Sequence, residues 1–149
     1  MACPSHARFV LEGANMIDTV GLSCQVDGVK VGDLERRGWD TSTTRVHKDG
    51  EVQEHVKAWA NLDNGAALEY FDCAGVLTAR ASLPKVLGHT NDVILSWGDT
   101  AKALFVVTGS LACDRVGQHL PALDAWGVWR VDPVWAWPCD PAPYLDALR

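Results

Sequence analysis

An α+β fold built on an antiparallel sheet is the architecture this sequence predicts. Three observations predict it. Apolar–polar alternation recurs in short runs, as in "MIDTVGLSCQV" from residue 16 and "WGVWRVDPVWAW" from 126 to 137. Turn-forming triplets, "KDG" at 48–50 and "DNG" at 63–65, separate β-branched runs. Helical apolar spacing is clear in one long stretch, around residues 101–113.

Taken in order, residues 1–15 show no period, and Met16 stands directly before the first strand pattern, so the natural start is expected at Met16 with 1–15 as an extension. Val20, Leu22 and Cys24 then share a strand face. "DGVKVGDLERRGWD" reads as a loop with one helical turn, and "TSTTRVH" with "EVQEHVKAWANL" as a hairpin about Lys48, Asp49 and Gly50. "AALEYFDCAGVLTARASL" is one long strand or two short ones, and "PKVLGHTND" a loop with room for a turn of helix. The segment from Val93 starts extended and becomes helical near Asp99 or Thr100, either of which makes a good N-cap; Ala101, Leu104, Val107, Thr108 and Leu111 form its stripe. Gly109 weakens that helix by about 1 kcal/mol relative to Ala. After the connector "QHLPALDAWG" comes the Trp-rich strand, and "DPAPYLDALR" opens a helix with Asp140 as cap and Pro141 at its first position.

The chain of 149 residues suits one domain. Its five cysteines, Cys3, Cys24, Cys73, Cys113 and Cys139, are odd in number and never spaced as CxxC, which reads as reduced thiols in a cytosolic protein. No apolar run reaches the roughly 18 residues of a membrane span, and no signal-peptide pattern opens the chain. A net charge of −6 counts against a uniformly basic nucleic-acid binder and leaves room for a local patch. Seven Trp against three Phe and two Tyr suits a β-rich or base-stacking protein, with core packing the expected job of most of them. Trp39 is placed in the core or hairpin in the same way, with base stacking as the alternative.

The Trp-rich strand carries Arg130 and Asp132. Strict alternation puts Val128, Arg130, Asp132, Val134 and Ala136 on one face, and Trp129, Val131, Trp135 and Trp137 on the other, packed into a core. Two readings of Asp132 stay open: a carboxylate presented to a metal ion, or half of an Arg–Asp pair on a solvated face. Pro133 cannot donate to a sheet, so a bulge or a sheet edge is expected beside it.

Four stretches, in order, resemble the N-terminal half of the gene II type replication initiators of filamentous phages, which nick and rejoin DNA in rolling-circle replication: "MIDTVGL" at 16–22, "ARASLPKVLGHTN" at 79–91, the apolar helix at 101–113, and "WRVDPVWAW" at 129–137. The likeness spans residues 16–149. The loop departs from the family pattern by one residue missing before Gly88 and by Thr90 standing before Asn91.

The resemblance implies an α+β fold, an antiparallel β-sheet with helices packed mainly on one face. It implies a tyrosine nucleophile, a divalent metal (Mg or Mn) with Asp132 as one ligand, and contacts to single-stranded or origin DNA from Arg80, Lys85, His89, Asn91 and Arg130. The family's further acid and tyrosine lie downstream of residue 149, so residues 16–149 are expected to be incomplete at the C-terminus. The missing half or a full-length initiator is the expected partner, in a bacterial cytoplasm. Tyr70 is expected to be packed and Tyr144 is the remaining tyrosine, which leaves the catalytic residue unassigned. No His-apolar-His pair is present. Arg36 and Arg37 are offset by Asp33, Glu35 and Asp40. The competing readings are a non-catalytic DNA-binding fragment and a Trp-rich β module for a small ligand or a protein.

Overall fold

A computed structural model describes residues 17–90 and 93–133. The segments 1–16 and 134–149, with Asn91, Tyr144, Trp135, Trp137 and the expected terminal helix, lie outside the described residues.

Six strands form one antiparallel sheet in the order β2-β3-β4-β5-β1-β6. They are β1 (Ile17–Gln25), β2 (Asp40–Lys48), β3 (Glu51–Asn61), β4 (Ala67–Phe71), β5 (Val76–Ser82) and β6 (Gly127–Pro133). Helices α1 (Val31–Arg36), α2 (Leu83–Val86), α3 (Trp97–Phe105) and α4 (Ala112–Val116) pack on one face of it. The expected α+β class is therefore what the chain adopts.

Alternation fixes which face the helices cover. Val20, Leu22 and Cys24 of β1, Leu68 and Tyr70 of β4, and Leu77, Ala79 and Ala81 of β5 are buried, and they share one core with Leu34, Leu83, Ala103 and Val107 from the helices. The residues between them, such as Thr19, Thr78, Arg80 and Glu69, fall on the opposite face, which no described helix covers.

The β2–β3 hairpin turns on Asp49 and Gly50, both at positive φ (53° and 83°), the backbone a two-residue hairpin loop requires. The long run after the 63–65 turn is two strands, not one. A short 3₁₀ turn at Asp72–Ala74 separates them and ends in left-handed Gly75, which lets β5 return antiparallel to β4.

One expectation about the helical segment is corrected. The N-cap is Ser96, in extended backbone, and not Asp99 or Thr100. The Ser96 hydroxyl accepts from the Asp99 amide (3.1 Å) and donates to the Asp99 carboxylate (2.8 Å), so Asp99 is the third helical residue and completes the cap. The helix then runs on without a break: α3 passes through a π-helical segment, Val106–Leu111, into α4. The wider turn absorbs Gly109 and brings Val107 and Thr108 into the core, while Ala101 is exposed. The Thr108 hydroxyl donates back to the Leu104 carbonyl at 3.0 Å, which satisfies it inside the protein.

The tryptophans also depart from expectation. Of the five described, only Trp39 and Trp126 are buried. Each donates its indole N–H to a carbonyl, of Arg115 at 3.0 Å and Pro121 at 3.1 Å respectively. Tyr70 is buried and its hydroxyl faces the Val29 carbonyl at 3.4 Å; burial first, then Asp72 and Asp27, raise its pKa. Cys24, Cys73 and Cys113 are free thiols, and burial pushes Cys24 up to about 11, with Cys113 adding to the shift.

Replacing Ser96 by Ala removes the cap from α3. Chemical denaturation is expected to show a loss of about 1 kcal/mol with an unchanged m-value; no loss would place the cap elsewhere.

Candidate nucleic-acid interface

The open face of the sheet gathers most of the residues singled out from sequence. Gly21 of β1 pairs with Arg80 of β5 on one side and Arg130 of β6 on the other. One step along, Thr19 pairs with Ser82 and with Asp132. Side chains directly opposite one another share a face, so Arg80, Arg130 and Asp132 stand together. They line a shallow depression of about 240 Å³ with Thr19, Ser82 and Gly65. The Lys85 stem reaches the same rim, since a Cβ on Gly65 would lie 3.4 Å from its Cδ. Pro84 is buried at the start of α2 and anchors the backbone that presents Lys85.

His89 is placed differently. Its amide donates to the Pro84 carbonyl at 3.0 Å and closes the end of α2 after left-handed Gly88; the residue is exposed and does not line the depression.

Arg130 and Asp132 form a bidentate pair. The Arg130 Nε lies 2.9 and 3.1 Å from the two carboxylate oxygens, and its Nη2 lies 2.7 Å from Oδ2. These hydrogen bonds hold the Asp132 carboxyl below the usual carboxylate range; partial desolvation opposes them, and the Arg130 and Arg80 charges add to them. A half-exposed pair of this kind contributes little to stability. Its effect is on position: it fixes the guanidinium on the sheet surface, and Arg80 and Lys85 leave the cluster positive.

A divalent cation prefers several oxygen ligands. Asp132 can offer one only by giving up hydrogen bonds from Arg130, beside the further positive charge of Arg80. Among the described residues no group of three or more His, Cys, Asp or Glu converges. The neighbouring Asp18 has one buried carboxylate oxygen, Oδ1, without a described partner, while its Oδ2 accepts from Thr19 at 2.8 Å. The described residues by themselves do not fit a metal.

The strand β6 departs from strict alternation. Its register with β1 steps from Gly21–Arg130 to Leu22–Val128, so Trp129 is an extra residue in a bulge. Val128 and Val131, opposite Leu22 and Val20, therefore face the helix side of the sheet, where both remain exposed. Trp129 lies not in the core, as alternation predicted, but across Gly21 on the open face. A Cβ at Gly21 would come within 2.6 Å of the indole, whose N–H donates to the Leu22 carbonyl at 3.0 Å. The residue is 53% exposed. The expected irregularity beside Pro133 is also present. A second register shift falls between Ile17 and Thr19, opposite Asp132 and Pro133, and no described strand pairs with the outer side of β6. Trp129 was missed because periodicity assumes an unbroken pleat. The available signal was Gly21, a glycine inside a strand, which marks a close approach of some other group.

No protein-family model, curated protein or solved structure significantly matches this chain. The likeness to phage initiators rests on the four quoted stretches. No helix of the described residues is long and apolar enough to cross a membrane.

The Asp132 shift has a direct readout. A carbon-detected titration of its carboxyl should give a midpoint below that of an ordinary aspartate, and Arg130→Ala should move it upward. The pair is fully formed above the ordinary aspartate pKa of about 4 and is lost as the pH falls through the depressed value. An unshifted midpoint in the wild type contradicts the geometry.

Proposed function

We propose that this chain binds single-stranded DNA on the open face of its sheet, as the N-terminal portion of a rolling-circle replication initiator of the phage type, acting in a bacterial cytoplasm. The observation that carries the reading is the convergence of Arg80 and Arg130 in one depression, with the Lys85 stem beside its Gly65 rim, on a face that no described helix covers.

The chemistry follows from the donors. Guanidinium and ammonium groups held on a rigid sheet suit phosphate oxygens, which position a nucleic acid without reading its sequence. Arg130 is already oriented by Asp132 through Nε and Nη2, so a phosphate meets its remaining Nη N–H groups at a fixed angle and little side-chain freedom is lost on binding. Asp132 also limits the attraction, since its charge opposes the incoming phosphate. Strand cleavage is the further reach of the same reading. It calls for a metal and a tyrosine from beyond the described residues, and binding precedes it in either case.

Binding of a fluorescent oligothymidine is expected to weaken linearly with the logarithm of salt. Lys85→Ala should weaken binding and reduce the slope by about 0.7, the share of one single-strand phosphate contact. Asp132→Asn should tighten binding several-fold at neutral pH by removing the opposing charge. Salt-insensitive binding, or no effect of Lys85→Ala, would favour a small-ligand or protein-binding module instead.

A further inference from the structure

We propose that Trp129 is a stacking platform for one unpaired base, so that the open face selects single strands over duplex. This rests on the single-stranded DNA reading above and adds the residue that takes a base and makes the face discriminate against duplex.

The bulge in β6 sets Trp129 and Arg130, adjacent in the chain, on the same face. The indole lies over Gly21, where any side chain would collide with it. Its N–H is fixed by the Leu22 carbonyl at 3.0 Å, which holds the ring in one orientation. One side of the ring is thus backed by the sheet, and the residue stays 53% exposed. On the outermost described strand an exposed tryptophan gains little from packing and carries an association hazard, so burial among the described residues does not account for its placement.

The neighbours point to the ligand. The Arg130 Cβ lies 2.9 Å from the same Gly21 position, against 2.6 Å for the indole, and Arg80 flanks that glycine from β5. An exposed indole flanked by two arginine-bearing positions, Arg130 beside it in the chain and Arg80 across Gly21, matches a nucleotide, with the base on the ring and its phosphate on an arginine. A duplex keeps its bases stacked on each other and cannot offer one to Trp129 without paying for unstacking.

The test compares wild type, Trp129→Phe and Trp129→Ala by anisotropy on oligothymidine and on an abasic oligonucleotide of equal length. Trp129→Ala is expected to lose roughly tenfold in affinity for oligothymidine, with the salt slope unchanged. It should bind the abasic strand as the wild type does, and Trp129→Phe should recover most of the loss. Equal affinity of wild type and Trp129→Ala for oligothymidine, with salt dependence intact, overturns the platform and leaves the DNA reading standing. An equal loss on both strands also overturns it, because it marks a structural role. Absence of salt-dependent binding by the wild type removes both readings. Sedimentation velocity closes the remaining case: a wild-type dimer made monomeric by Trp129→Ala, with unchanged DNA affinity, would make the ring a seam between two copies and overturn the proposal.

Discussion

The lack of a side chain at Gly21 is the constraint on which the open face depends. Gly21 sits on β1 between two partner strands, with Arg80 opposite on one side and Arg130 on the other. Filling that position would press on both the indole of Trp129 and the Cβ of Arg130. Because it is empty, β6 can bulge and carry a tryptophan over the sheet, and its next residue still pairs in register. The aromatic ring over the sheet and the Arg130 backbone beside it both depend on one small residue on one strand.

The same arrangement shows how an acidic chain can present a basic surface. The net charge is −6, yet exposed acids such as Asp49, Glu51, Glu54, Asp72 and Asp114 sit on the hairpin, a turn and a helix. Glu54 is paired across the hairpin with Arg45 at 2.9 Å. At physiological salt, charges more than about 8 Å from a bound phosphate are largely screened, so the local set around the depression decides what it attracts. Elsewhere on the open face Lys57 is bound to Glu69 at 2.9 Å and stacked over Phe71, so that part of the surface is close to neutral. The contrast confines the attractive region to β5, β1 and β6.

Much of the fold was legible because it follows from local chemistry. The Asp49–Gly50 turn, the β1 alternation of Val20, Leu22 and Cys24, and the irregularity beside Pro133 each have a mechanism that acts within a few residues. Two features escaped for physical reasons, and a third, one long strand or two, was left open. Ser96 was hidden because Asp99 and Thr100 are equally good capping residues, and only the reciprocal bond between Ser96 and Asp99 shows which one begins the helix. The division of the strand at Asp72–Ala74 depends on Gly75 taking a left-handed conformation, one that a glycine permits and does not impose. Trp129 escaped because a bulge is a property of two paired strands, whereas alternation is read along one. Of the candidate site, Arg80, Arg130, Asp132 and Lys85 are brought together. His89 caps a turn instead, and Asn91 lies outside the described residues. A loop motif conveys which residues are near in sequence, and the sheet register decides which of them share a face.

The most direct measurement of the central claim is a map of backbone amide shifts on adding a short oligothymidine to the labelled protein. The account predicts that the largest changes fall at Thr19, Gly21, Arg80, Ser82, Trp129 and Arg130, with the amides of α3 and α4 on the far side of the sheet unmoved. Shifts centred on the helical layer, or on the β2–β3 hairpin with the β5–β1–β6 face silent, would contradict it.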